Sequence, residues 1–89
     1  MAFQKTITLK NTDIILDDAY CRIKALRFDH PNRVYIEVSC HWPSNHEHIV
    51  DTREYNMTVE DFGGKENITA ANAYKLLKLE EEWVDAKEE

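Results

Sequence analysis

The chain has 89 residues, room for one domain spanning 1–89 and none for a second. Hydrophobic residues make up 43% and charged residues 31%, the balance of a folded globular chain rather than a disordered one. A formal net charge of -6 repels phosphate backbones and argues against nucleic acid as a partner, and no apolar run approaches the roughly 20 residues a membrane span needs.

The opening "MAFQKTITLK" has no apolar segment behind its charge, so the expectation is synthesis in the cytoplasm with reduced thiols. Phe3, Lys5, Ile7 and Leu9 alternate with Gln4, Thr6, Thr8 and Lys10, the period of a half-buried strand. Asn11, Thr12 and Asp13 then read as a turn, and Ile14 to Leu16 as a brief strand or an apolar anchor. Alternation resumes over 19–28, with Tyr20, Cys21, Ile23 and Leu26 as candidates for burial.

Residues 29–32 signal a turn, because Pro31 fixes its own φ and turns His30 away from helix. The clearest strand is "RVYIEVSCHW" (33–42), with Val34, Ile36, Val38, Cys40 and Trp42 on the core face. Tyr35, Glu37, Ser39 and His41 take the wetter face, and 19–28 pairs with 33–42 as a hairpin. Residues 43–48 read as a polar connection and 49–59 as a further strand of weaker alternation.

Gly63 and Gly64 release the chain from the sheet. Ala73, Leu76, Leu77, Trp83 and Val84 then fit a helical stripe interrupted at Glu80, with Asn67 or Thr69 as N-cap. The acidic end opposes the helix dipole, so its last turn is expected to fray. These elements together predict an α+β fold. It is a mostly antiparallel sheet of four to five strands over about 3–59, followed by one C-terminal amphipathic helix over about 68–85.

The stretch "CHWPSNHEH" (40–48) is the most chemically loaded part of the chain. Cys40, His41, His46 and His48 make a conceivable small metal-binding or regulatory module. The spacing lacks the paired half-site, such as C-x₂-C, of a structural zinc centre. The residue types suit an exposed turn equally, so no metal ligand is assigned. Three imidazoles would also make the segment sensitive to mild acid.

Catalysis finds no support. Cys40 and His41 are neighbours on a strand and face opposite ways, and no phosphate loop, nucleophile elbow or H-E-x-x-H occurs. The reading is of a non-enzyme with no catalytic residue and no cofactor. Cys21 and Cys40 lie on different strands, and spacing leaves open whether they bond. Six cations, from Lys5 to Arg33, precede a strongly acidic end, an asymmetry compatible with head-to-tail association or with plain solvation.

Two stretches carry a resemblance. "KTITLKNTDIILDDAYCRI" (5–23) is similar to the opening of small proteins encoded in the tail modules of phages and prophages of Gram-positive bacteria. Those run from a "T-x-T-L-K-N" strand through "A-Y-x-x-I" to a helix of the type "A-Y-x-x-L-K-x-x-x-E-F-x-D-A". The counterparts here are Ala19-Tyr20-Cys21-Arg22-Ile23, Ala73-Tyr74-Lys75-Leu76-Leu77-Lys78 and Glu82-Trp83-Val84-Asp85-Ala86. The resemblance implies a structural or accessory protein of the tail or baseplate region, made in the host cytoplasm and destined for the virion or its assembly. It implies partners among its own copies or other tail proteins, and no catalytic residues. Proteins of that pattern carry an ordinary polar loop at the position of residues 41–48, which weighs against metal there.

Overall fold

A computed structural model of the chain describes residues 2–9, 11–29 and 31–88. The expectations for Lys10 and His30 lie outside these. Five antiparallel strands form one sheet in the order β4-β3-β2-β1-β5. They are β1 (Phe3–Thr8), β2 (Ile15–Asp29), β3 (Arg33–Trp42), β4 (Asn45–Thr58) and the two-residue β5 (Lys87–Glu88). Two short helices, α1 (Val59–Phe62) and α2 (Ala70–Leu77), lie between β4 and β5.

The alternation seen in the sequence puts Phe3, Ile7, Ala19, Cys21, Val34, Ile36, Val38 and Cys40 on one buried face. Within 14–16, Ile15 and Leu16 begin β2, whereas Ile14 precedes the strand and is exposed. Asp18 adopts a left-handed φ of 55°, and β1 and β2 slip register between Lys5 and Ile7. A short acidic side chain tolerates that conformation, and the two adjacent aspartates sit at a bulge inside the strand. A second bulge between Ile23 and Ala25 is secured from α2, where the Tyr74 hydroxyl accepts the Ile23 N–H at 2.9 Å.

The sheet is strongly coiled. Arg53 on β4 donates to the Thr8 carbonyl on β1 at 2.9 Å, although the two strands stand three places apart. In a flat sheet they would be about 14 Å apart, beyond an arginine's reach. Curling brings the opposite margins together over the buried face and makes the fold mainly β.

The expected α+β architecture ending in an amphipathic helix over 68–85 does not form. Helix α2 is internal and covers eight residues, with Thr69 as N-cap accepting the Asn72 N–H at 3.2 Å. Beyond Leu77 the chain continues in tight turns: Leu79 N–H bonds to Leu76, Glu80 to Leu77 and Trp83 to Glu80.

Two forces stop the helix. Glu80, Glu81 and Glu82 would crowd negative charge at a helix C-terminus, where the dipole already repels it. Trp83 also lies six residues after Leu77, which in a continuous helix is roughly 120° round the axis from it. The turns rotate Trp83 back into the core, where it is 0% exposed and stacks on Phe3 at 5.3 Å between centroids. Tyr74 meets the same Phe3 ring edge-on. Trp83 and Tyr74 are therefore both core, and Lys87–Glu88 then pair with Phe3–Gln4.

Candidate functional site

The β3–β4 hairpin turns on Pro43 and Ser44 alone, since Trp42 already pairs with Asn45. Residues 45–48 are therefore the bulged start of β4 and not a loop. Three extra residues, 46–48, stand between the Trp42–Asn45 and His41–Ile49 pairs. This irregularity inverts the expected exposure at the end of β3. His41 is 2% exposed, whereas Trp42, expected to face the core, is 40% exposed.

His41 lies on the outer face of the sheet, opposite the core, and is buried there by what folds over it. Tyr20, its cross-strand partner on β2, meets it edge-on with centroids 6.0 Å apart. His46, from the bulge, stacks flat on Tyr20 at 3.8 Å and 5°. His41 Nε2 lies 2.7 Å from the Ser39 hydroxyl, while Nδ1 has no hydrogen-bond partner among the described residues. Burial, then Arg22 and His46, lowers the pKa of His41 below its ordinary value.

The four side chains of the conceivable metal module do not converge. Cys40 points into the core beside Cys21, His41 points the other way, His46 covers Tyr20, and His48 packs near Trp42 with centroids 6.3 Å apart. Among the described residues no group of three His, Cys, Asp or Glu side chains is placed to hold a metal ion. Cys21 and Cys40 are direct cross-strand partners, buried and unbonded. Their mutual hydrogen bond and their burial push the Cys21 thiol far above its ordinary pKa, which makes it a poor nucleophile.

The core face carries its own polar cluster, which the sequence reading missed. Trp83 Nε1 donates to the Tyr55 hydroxyl at 2.5 Å, and Tyr55 donates to Glu82 Oε2 at 2.5 Å. Arg53 pairs with the other Glu82 oxygen and with Asp51. Burial opposes the Arg53 charge, but Glu82 and its neighbours outweigh it and raise the pKa. Burial, then the Glu82 hydrogen bond, also pushes Tyr55 up. The available signal was parity: Asp51, Arg53 and Tyr55 share the core-facing phase of Met57, so charge at those positions needed a buried partner.

One margin of the sheet is open. β4 is an edge strand, and it is guarded at two points. The Thr52 N–H bonds to the Asp51 carboxylate at 2.8 Å, and the Thr58 N–H to Asp61 at 2.9 Å. Both N–H groups turn away from β3, and the two-residue period puts those of Glu54 and Asn56 on the same side. A shallow groove of about 530 Å³ adjoins this stretch, between residues 31–33 and 56–58. No helix is long and apolar enough to cross a membrane among the described residues. Compared with protein-family models, curated proteins and solved structures, the chain gives no match.

Proposed function

We propose that this chain is a non-enzymatic assembly protein, working through protein–protein contacts in the tail or baseplate region of a phage or prophage. The observation that carries the contact mode is the open β4 edge at Glu54–Asn56, between the guarded N–H groups of Thr52 and Thr58. Unpaired strand edges accept another strand through backbone hydrogen bonds. An antiparallel edge can also accept its own copy about a two-fold axis. The tail-module setting is supported by the resemblance of residues 5–23 and 73–86. Self-association is the proposed first partner, with other tail proteins as its extension. Neither nucleic acid, membrane nor cofactor enters this reading, and the place of action is the host cytoplasm followed by the virion.

The test is molar mass by light scattering on a size-exclusion column, for the wild type and for Asn56→Pro. Proline removes an outward N–H and leaves the β3 ladder intact. A discrete wild-type oligomer that Asn56→Pro converts to monomer supports the reading. A wild type that stays monomeric at high concentration overturns self-association.

A further inference from the structure

The feature left over is His41 with its cover. We infer that the bulge at residues 45–48 is a pH-operated cover, closed on the sheet's outer face while His41 is neutral and released when His41 takes a proton.

The geometry sets the direction. The Ser39 hydroxyl donates to the Arg22 carbonyl and so accepts from Nε2–H, which sends a second proton to Nδ1, an atom with no hydrogen-bond partner among the described residues at a site 2% exposed. A buried cation with only the His46 carbonyl to favour it is costly, and rehydrating it requires the covering residues to leave. The cover is His46 lying flat on Tyr20, and Tyr20 in turn packs edge-on against His41.

The groups that face His41 from each neighbouring strand give the proton little to pair with. Arg22 and Lys24 on β2 and the His46 ring on β4 all disfavour it, and only the His46 backbone carbonyl pulls the other way. The acids of the outer face are engaged elsewhere: Glu37 with Lys24, Asp17 with Thr6, Glu54 with Tyr35 and Asp29 with Arg27. Glu47 belongs to the bulge and is exposed, so it leaves with the cover. On β3 itself, Ser39 is uncharged, and its hydroxyl also reaches the Arg22 carbonyl at 3.5 Å.

The linkage follows. An uncovered His41 titrates near the ordinary histidine value, and a covered one stays neutral to lower pH. The cover is therefore favoured above that value and loosens as pH falls through it. At roughly pH 5.5 the open population should rise about tenfold over its neutral-pH level. Opening exposes Tyr20 and His41 together, an aromatic and cationic patch on the outer face.

Amide hydrogen exchange on the full chain tests this, with rates corrected for intrinsic pH dependence. The expected result is about tenfold faster opening of residues 45–48 at roughly pH 5.5 than at neutral pH, with 34–40 unchanged. In His41→Gln, of similar size and uncharged, that dependence should vanish. A pH-independent bulge in the wild type, or the same dependence retained in His41→Gln, overturns the inference. Histidine ring titrations by NMR on the wild type keep the test decisive if the variant fails to fold. Bulge amide shifts must follow the midpoint of His41; shifts following only His46 or His48 overturn the inference.

Discussion

The two faces of this sheet each bury polar side chains, and they do so in opposite ways. On the core face, Trp83, Tyr55, Glu82, Arg53 and Asp51 form a chain of hydrogen bonds in which opposite charges touch, with Arg53 Nε the one atom of the chain left without a partner among the described residues. On the outer face, His41 has one nitrogen bonded to Ser39 and the other without a hydrogen-bond partner among the described residues, and no carboxylate pairs with it there. Burying polar groups stabilises a fold only when their bonding capacity is met. The core-face chain therefore ties the C-terminal segment to β4, whereas the outer-face histidine marks where the fold can give way.

Removing the anchor of the first cluster should do most damage. Trp83→Ala empties a fully buried site against Phe3, and chemical denaturation should show a loss of about 3–5 kcal/mol. Glu82→Ala should come next. It strands Arg53 and leaves the Tyr55 hydroxyl without its acceptor, at a cost of about 2 kcal/mol once partial exposure has discounted the pair. Tyr55→Phe removes two hydrogen bonds but no charge, and about 1–2 kcal/mol is expected.

pH sharpens the contrast, because the clusters fail at opposite ends. Tyr55 has a raised pKa in the folded state, so its contribution is complete below the ordinary value of 10.0 and is lost as pH climbs above it. His41 has a lowered one, so its contribution is complete above 6.5 and is lost as pH falls below. Thermal melts across the pH range should show both shoulders. Tyr55→Phe should soften only the alkaline shoulder, and His41→Gln only the acid one. Last in size is His46→Ala, which removes one ring stack at the hairpin tip; about 0.5–1 kcal/mol and a more mobile bulge are expected.

Much of the sheet was readable in advance, for a simple reason. β3 alternates without fault from Val34 to Cys40, so its register on the core was visible before any pairing was known. The cap was visible as Asn67 or Thr69, and it is Thr69, the threonine directly ahead of the alanine-rich turn. What escaped notice were the places where pairing, rather than pattern, decides. The bulge at 46–48 makes Asn45 to His48 a strand and swaps the exposure of His41 and Trp42. Nothing local to those residues announces a slip against β3.

The C-terminal segment escaped for a different reason. Ala73, Leu77, Trp83 and Val84 satisfy a helical stripe on paper, and the break at Glu80 looked like a blemish. It is the point at which the helix ends, because Glu82 is needed by Arg53 and Tyr55 and Trp83 by Phe3. Val84, placed on the buried stripe, is 59% exposed as a result. Of the chemically loaded stretch, Cys40, His41, His46 and His48 were legible as residues but not as a site. Their separation onto two faces comes from the strand on which Cys40 and His41 sit.

The central claim is that the outward edge of β4 is a working contact surface for a second copy of this chain. Amide exchange at Glu54 and Asn56, followed from dilute to concentrated protein, tests it most directly. The account predicts protection at these two residues that rises with concentration while the β2–β3 ladder stays constant. Exchange at Glu54 and Asn56 that is fast and independent of concentration would contradict it.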